Sequence, residues 1–168
     1  MSPTGSQENL VRYARPNRAD RLTTRLLRGL VRVGIGPWGA RELRVTGRNS
    51  GLVRSNVVNV LKTGDGRYLV APRGNTEWVR NLRAAGRGEL RLGHRTERFE
   101  AVEVPDADKA PVLQAYLDRW AFEVGRFFEG LGKHPTVAEL TEVASGFPVF
   151  RVRAGNEVVL ASPVCMAS

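Results

Sequence analysis

Two stretches of the chain combine residue types that suit chemistry on an anion. In "RVTGRNSGLVR" (44–54), Gly47 and Gly51 bracket Arg48, Asn49 and Ser50. Glycine at both ends permits a positive-φ turn and a close approach by a ligand. Successive amides in such a turn form an anion-binding nest. Arg48 and Arg54 add charge-assisted contacts suited to phosphate, and Asn49 and Ser50 add neutral donors. In "APRGNTEW" (71–78), Arg73-Gly74 repeats the pairing at a strand end. The Asn75-Thr76 helix start that follows offers free amides and the positive end of a dipole. Each turn alone reads as an ordinary solvated turn. Together they favour an anion site.

Charge is distributed in the same sense. The chain has 168 residues and a formal net charge of +9. Residues 41–98 hold 13 basic and 5 acidic side chains, whereas residues 99–168 hold 6 and 10. This asymmetry points to an anionic partner: a phosphorylated cofactor, nucleic acid or an acidic membrane surface. The aromatic residues do not interleave with the basic ones as stacking platforms would, so no specific nucleic-acid partner is expected. With Cys165 as the single cysteine and His94 and His134 as the only histidines, neither a disulfide framework nor a metal site is expected. There is no convincing Ser/His/Asp or Cys/His set. The N-terminus lacks an apolar signal region and no apolar run is long enough to span a bilayer, so the expected location is cytoplasmic.

The elements that must position these turns follow from periodicity. Residues 1–17 read as a polar arm, 18–155 as one domain and 156–168 as a tail. Leu22, Leu26, Leu30 and Val33 recur at helical spacing with arginines on the other faces, predicting a basic amphipathic helix over 18–33. It suits either packing on the domain or contact with anionic lipid. "GIGPWG" (34–39) matches a dinucleotide fingerprint by letter. A helix precedes it, however, and Pro37 lacks an amide, so it reads as a loop. Strands are predicted at 41–46, 54–62, 67–72, 89–93, 95–104 and 148–154. Helices are predicted after Asn75-Thr76, across 106–128 and over 136–144. Strands adjacent in sequence favour antiparallel pairing. The expected class is α+β: a closed or nearly closed antiparallel β-barrel with helices packed outside.

"TGRNSGLVR…VAPRG…EWVRNLRA" resembles the deazaflavin-dependent nitroreductase family over roughly residues 41–105. That resemblance implies a split β-barrel related to the FMN-binding oxidases, and an oxidoreductase that passes hydride from reduced coenzyme F420 to a quinone, enone or nitro compound. It implies that Arg48, Asn49, Ser50 and Gly51, beside Arg54, hold the cofactor phosphate and acidic tail. Asn56, Val57 and Val58 would line the ring. Ala71, Pro72, Arg73 and Gly74 would line the third strand's end, and Trp78 and Asn81 would close the pocket. Three departures stand out: Asn49 replaces a usual lysine, Val57 a common proline and Pro72 a common serine. Asn59 stands where nitro-reducing members carry a tyrosine, and Phe127 and Phe128 are apolar wall, so nitroimidazole reduction does not follow. FMN or FAD on the same barrel, and a cofactor-binding protein without turnover, remain as alternatives. Monomer and homodimer both remain open.

Overall fold

The computed structural model describes residues 29–31, 39–124, 128, 131 and 135–155. The arm, the tail, most of the basic helix and of "EVGRFFEG" (123–130), and "GIGPW" lie outside the described residues. Six strands form a closed antiparallel barrel: β1 (Ala40–Thr46), β2 (Val53–Thr63), β3 (Gly66–Val70), β4 (Arg87–Leu92), β5 (Arg95–Glu103) and β6 (Val149–Ala154). Their order around the barrel is β1-β2-β3-β6-β5-β4. Among the described residues, helices α1 (Glu77–Ala85), α2 (Ala110–Val124) and α3 (Val137–Val143) accompany them, besides a helical end at 29–31.

Alternation sets the barrel interior. Leu43, Val45, Val58, Val60, Leu69, Leu90, Phe99, Phe150 and Val152 point inward and pack with one another. The apolar stripe of α1, Val79 and Leu82, joins the same cluster and is 0% and 1% exposed. A second core lies on the outer face of β2, β3 and β6. There Leu61, Tyr68, Val70 and Val149 meet Leu113, Tyr116, Leu117 and Trp120 of α2 and Leu140 of α3. Phe128 stacks on Phe147 at 4.2 Å between ring centroids. The helices therefore divide the work: α1 completes the interior, whereas α2 and α3 cover one outer wall.

Strand β2 is long because it serves two partners. Its first part pairs with β1 from Val53 to Asn59, while its ladder with β3 runs only from Val60 to Thr63. The β2–β3 hairpin turns at Gly64-Asp65, where the Asp65 carboxylate accepts hydrogen bonds from Thr63 Oγ1 and from Tyr68 OH, the latter at 2.6 Å. Those two bonds hold the Asp65 carboxyl below its ordinary range, with Thr63 the larger cause. At the β4–β5 turn, Gly93 N donates to Val31 O at 2.8 Å, which docks the described end of the basic helix on that hairpin.

Two element boundaries differ from expectation. The predicted helix 106–128 begins instead as a 3₁₀ turn at Asp106–Asp108. The α-helix starts at Ala110, which puts Pro111 in its first turn, and it carries a non-helical residue at Trp120 (φ −130°). Asn75-Thr76 does mark the start of α1, but no side chain caps it: Thr76 is the N-cap and its hydroxyl makes no capping bond.

Candidate functional site

The turn between β1 and β2 runs from Gly47 to Leu52. Its backbone closes by Gly47 N to Leu52 O at 2.8 Å and Gly51 N to Gly47 O at 2.9 Å. The two glycines serve different purposes. Gly51 has φ +66°, with open space where a Cβ would project. Gly47 is not in the left-handed region; a Cβ there would stand 3.1 Å from the Leu52 carbonyl oxygen. The expectation of a turn with positive φ at both ends is thus corrected: one glycine supplies the conformation and the other supplies room. Ser50 Oγ accepts from Leu52 N at 3.3 Å, so this side chain spans the turn it sits on.

Helix α1 meets that turn. Asn81, 5% exposed on the buried side of α1, accepts from Arg48 N at 3.2 Å and from an Arg48 guanidinium nitrogen at 3.0 Å. The same guanidinium nitrogen pairs with Glu77 Oε2 at 2.9 Å. Glu77 Oε1 pairs with Arg80 at 3.2 Å along the helix. These partners, the Arg48 hydrogen bond first, hold the Glu77 carboxyl below its ordinary range. A cleft of about 640 Å³ opens beside this network, lined by Val53, Arg54, Ser55, Asn56, Glu77 and Asn81.

The residues singled out in the sequence do not all fall in one place. Arg54, Asn56 and Asn81 line the cleft, and Arg48 reaches two of its lining residues. Asn49, Ser50 and Gly51 are exposed on the turn. Val58 and Ala71, 8% and 1% exposed, pack in the barrel interior, and Trp78 packs half-buried against it, 6.0 Å from the Phe150 ring. Val57 is half-buried, and strand alternation puts it on the opposite face of β2 from Asn56 and Val58. Pro72 and Arg73 are half-buried and Gly74 is buried, in a segment turned by Gly74 N to Ala71 O at 3.0 Å that leads into α1. The β1–β2 turn thus contacts α1 through Glu77 and Asn81, whereas the 71–74 segment leads into that helix but lines no part of the cleft.

Residue patterns did not bring out Glu77 as a partner of Arg48, or Val53 and Ser55 as lining residues. Glu77 has a visible signal, an acid at the first position of the helix, but that signal explains only dipole complementarity. Two further polar groups stand out. Thr76 Oγ1 and Glu42 Oε2 are both buried without a partner among the described residues. Thr76 adjoins Glu77 in sequence. Glu42 lies on β1 opposite Val57 and Arg91 and does not line the cleft. Among the described residues no group of three or more His, Cys, Asp or Glu could hold a metal ion, and no helix is long and apolar enough to cross a membrane.

Comparison with known proteins follows the same outline. Among solved structures, the chain is similar to the protein Atu2129 of Agrobacterium tumefaciens, whose function is unknown. The TM-score is 0.50 and the identity 16%, over 86% of this chain and 59% of that one. It is similar to an F420 reductase at TM-score 0.44 and 16% identity, over 76% and 92% of the two chains. A heme binding protein from Mycobacterium smegmatis gives TM-score 0.46 and 16% identity, over 84% and 52%. At 16% identity the likeness to Atu2129 concerns the fold alone. No curated protein matches the chain. The model of the F420H(2)-dependent quinone reductase family matches residues 33–125, more than half of the chain and the whole of the cleft, and the chain belongs to that family.

Proposed function

We propose that this protein is a reductase that binds coenzyme F420 in the cleft between the β1–β2 turn and α1 and passes hydride to a quinone-type acceptor. The observation that carries the reading is that the family match spans the cleft where Arg48, Arg54 and Asn81 converge. The residues fit an elongated anionic cofactor. Arg48 and Arg54 supply positive charge, and open space surrounds the position of a Gly51 Cβ. The amides of Gly47, Arg48, Gly51 and Leu52 already donate within the protein, so the expected backbone nest is corrected and the guanidinium groups carry the anion reading.

When bound, the deazaflavin supplies the hydride chemistry itself. The chain's residues bind and orient. Asn81 fixes both the backbone and the guanidinium of Arg48, so the cation is placed before a ligand arrives. Arg48 and Arg54 would hold the phosphate and acidic tail, and Asn56 would present its amide from β2 toward the ring. Arg73 would add charge from the segment leading into α1. The acceptor would be an electrophile such as a quinone or enone.

One observation favours a second reading, a flavin on the same barrel. Glu77 neutralises part of the Arg48 charge, and Asn49 adds none, so the site is less cationic than a polyanionic tail would favour. Parallel fluorescence titrations with F420 and FMN separate the two. F420 is expected to bind more tightly, and Arg48→Ala to weaken it about tenfold or more. Tighter FMN binding, or a yellow purified protein, would transfer the assignment to a flavin. Equal affinity in Arg48→Ala and the parent would remove the turn from the site.

A further inference from the structure

The carboxylate of Glu77 stands on a guanidinium that an anionic ligand would need. It lies in the lining of the cleft, and its Oε2 is 2.9 Å from Arg48. We propose that Glu77 is a specificity-determining residue of this cleft: a built-in anion that an incoming phosphate or carboxylate must displace from Arg48. The proposal rests on the anion-cofactor reading of the cleft given above.

Three features make the exchange feasible. The Glu77 side chain is 65% exposed, so it can turn to water without unpacking anything. Arg80, one helical turn on, already holds its other oxygen at 3.2 Å, so the displaced carboxylate keeps a cationic partner. Asn81 grips Arg48 from the buried side at 3.0 Å and also holds the turn backbone, so the guanidinium stays in place when Glu77 leaves. A purely structural clamp would not need this second anchor. The consequence is selectivity. Small anions gain little by replacing a tethered carboxylate, whereas a ligand with further contacts along the cleft can displace it.

The test compares the parent with Glu77→Gln, which keeps a hydrogen-bond acceptor but loses the charge, and Glu77→Ala, which loses both. Each apo protein is titrated with inorganic pyrophosphate by calorimetry and with F420 by fluorescence, and thermal midpoints check that all three fold. Both variants are expected to bind tighter than the parent toward at least one probe, by about fivefold, as for removal of one nearby like charge at a solvated site. Unchanged or weaker binding of both probes by Glu77→Gln overturns the proposal and makes Glu77 a clamp. If the parent binds F420 and Glu77→Gln brings no gain with either probe, the role of Glu77 fails while the cofactor reading stands. If pyrophosphate binding tightens but no variant binds F420, the role of Glu77 stands while the cofactor reading fails.

Discussion

Single residues decide whether the β1–β2 turn exists in a form that can present Arg48. Gly51 holds φ +66°, which costs a non-glycine residue about 1–2 kcal/mol. Gly51→Ala is therefore expected to lower the unfolding free energy measured in urea by about that amount, while Gly51→Asn recovers part of the loss, since asparagine tolerates the left-handed region. Equal loss in both variants would mean that space and not conformation matters, although a Cβ there meets nothing within 4 Å. At this scale the sequence is readable for backbone purpose and poor for partnership. The glycines announce a turn. Nothing local announces that Arg48 meets Glu77 and Asn81, which stand 29 and 33 positions later.

Helix starts show how the same N-cap residue type yields two structures, depending on the residue three positions on: Glu139 after Thr136, Val79 after Thr76. Thr136 begins α3 with a reciprocal capping box: its Oγ1 accepts from Glu139 N, and Glu139 accepts from Thr136 N at 2.7 Å. Thr76 begins α1 with the same residue type, yet its hydroxyl is buried and unpartnered among the described residues. Thr136→Ala should cost about 1 kcal/mol. Thr76→Ala should cost much less, since no capping bond is lost and an unsatisfied buried group is removed. Chemical denaturation of the two variants side by side checks this, and a larger loss at Thr76 would show that its hydroxyl has a partner. Helix α1 holds its position through side chains. Val79 and Leu82 enter the barrel core, and Leu82→Ala is expected to cost about 2–5 kcal/mol. Because α1 also carries Glu77 and Asn81, packing at one end fixes electrostatics at the other.

Across the whole molecule, several carboxylates join elements distant in sequence. Arg67 on β3 grips Glu97 on β5 in two-pronged fashion across β6, and this hydrogen bonding holds the Glu97 carboxyl below its ordinary range. Glu77, Asp65 and Glu139 are lowered as well, by Arg48, by Thr63 and Tyr68, and by the Thr136 backbone respectively. For a group whose pKa is depressed on folding, the stabilisation is complete above the unfolded value and is lost as pH falls through the folded one. Thermal midpoints should therefore hold near neutrality and drop below about pH 4, the unfolded carboxylate range. Glu97→Gln should flatten that drop, and an unchanged acid profile in this variant would remove the Arg67–Glu97 pair from the account.

How much of this was legible in the chain differs by kind. Alternating strands, the Gly64-Asp65 turn, the helix starts and the apolar stripes depend on neighbours within a few residues. The sequence by itself determined them, together with the α+β class, the basic bias and the motifs that resemble the reductase family. The insertion of β6 between β3 and β5, the two-partner role of β2, and the division between a barrel core and an outer core depend on contacts across the chain. Only the tertiary structure decided those. It decided the site in the same way: a cleft is a property of surfaces brought together, and which carboxylate offsets the Arg48 charge depends on which acid the fold sets against it. A glycine-bracketed turn can be read from its letters, but whether its arginine stands free or already holds a carboxylate cannot, because that carboxylate lies on a helix 29 positions along the chain.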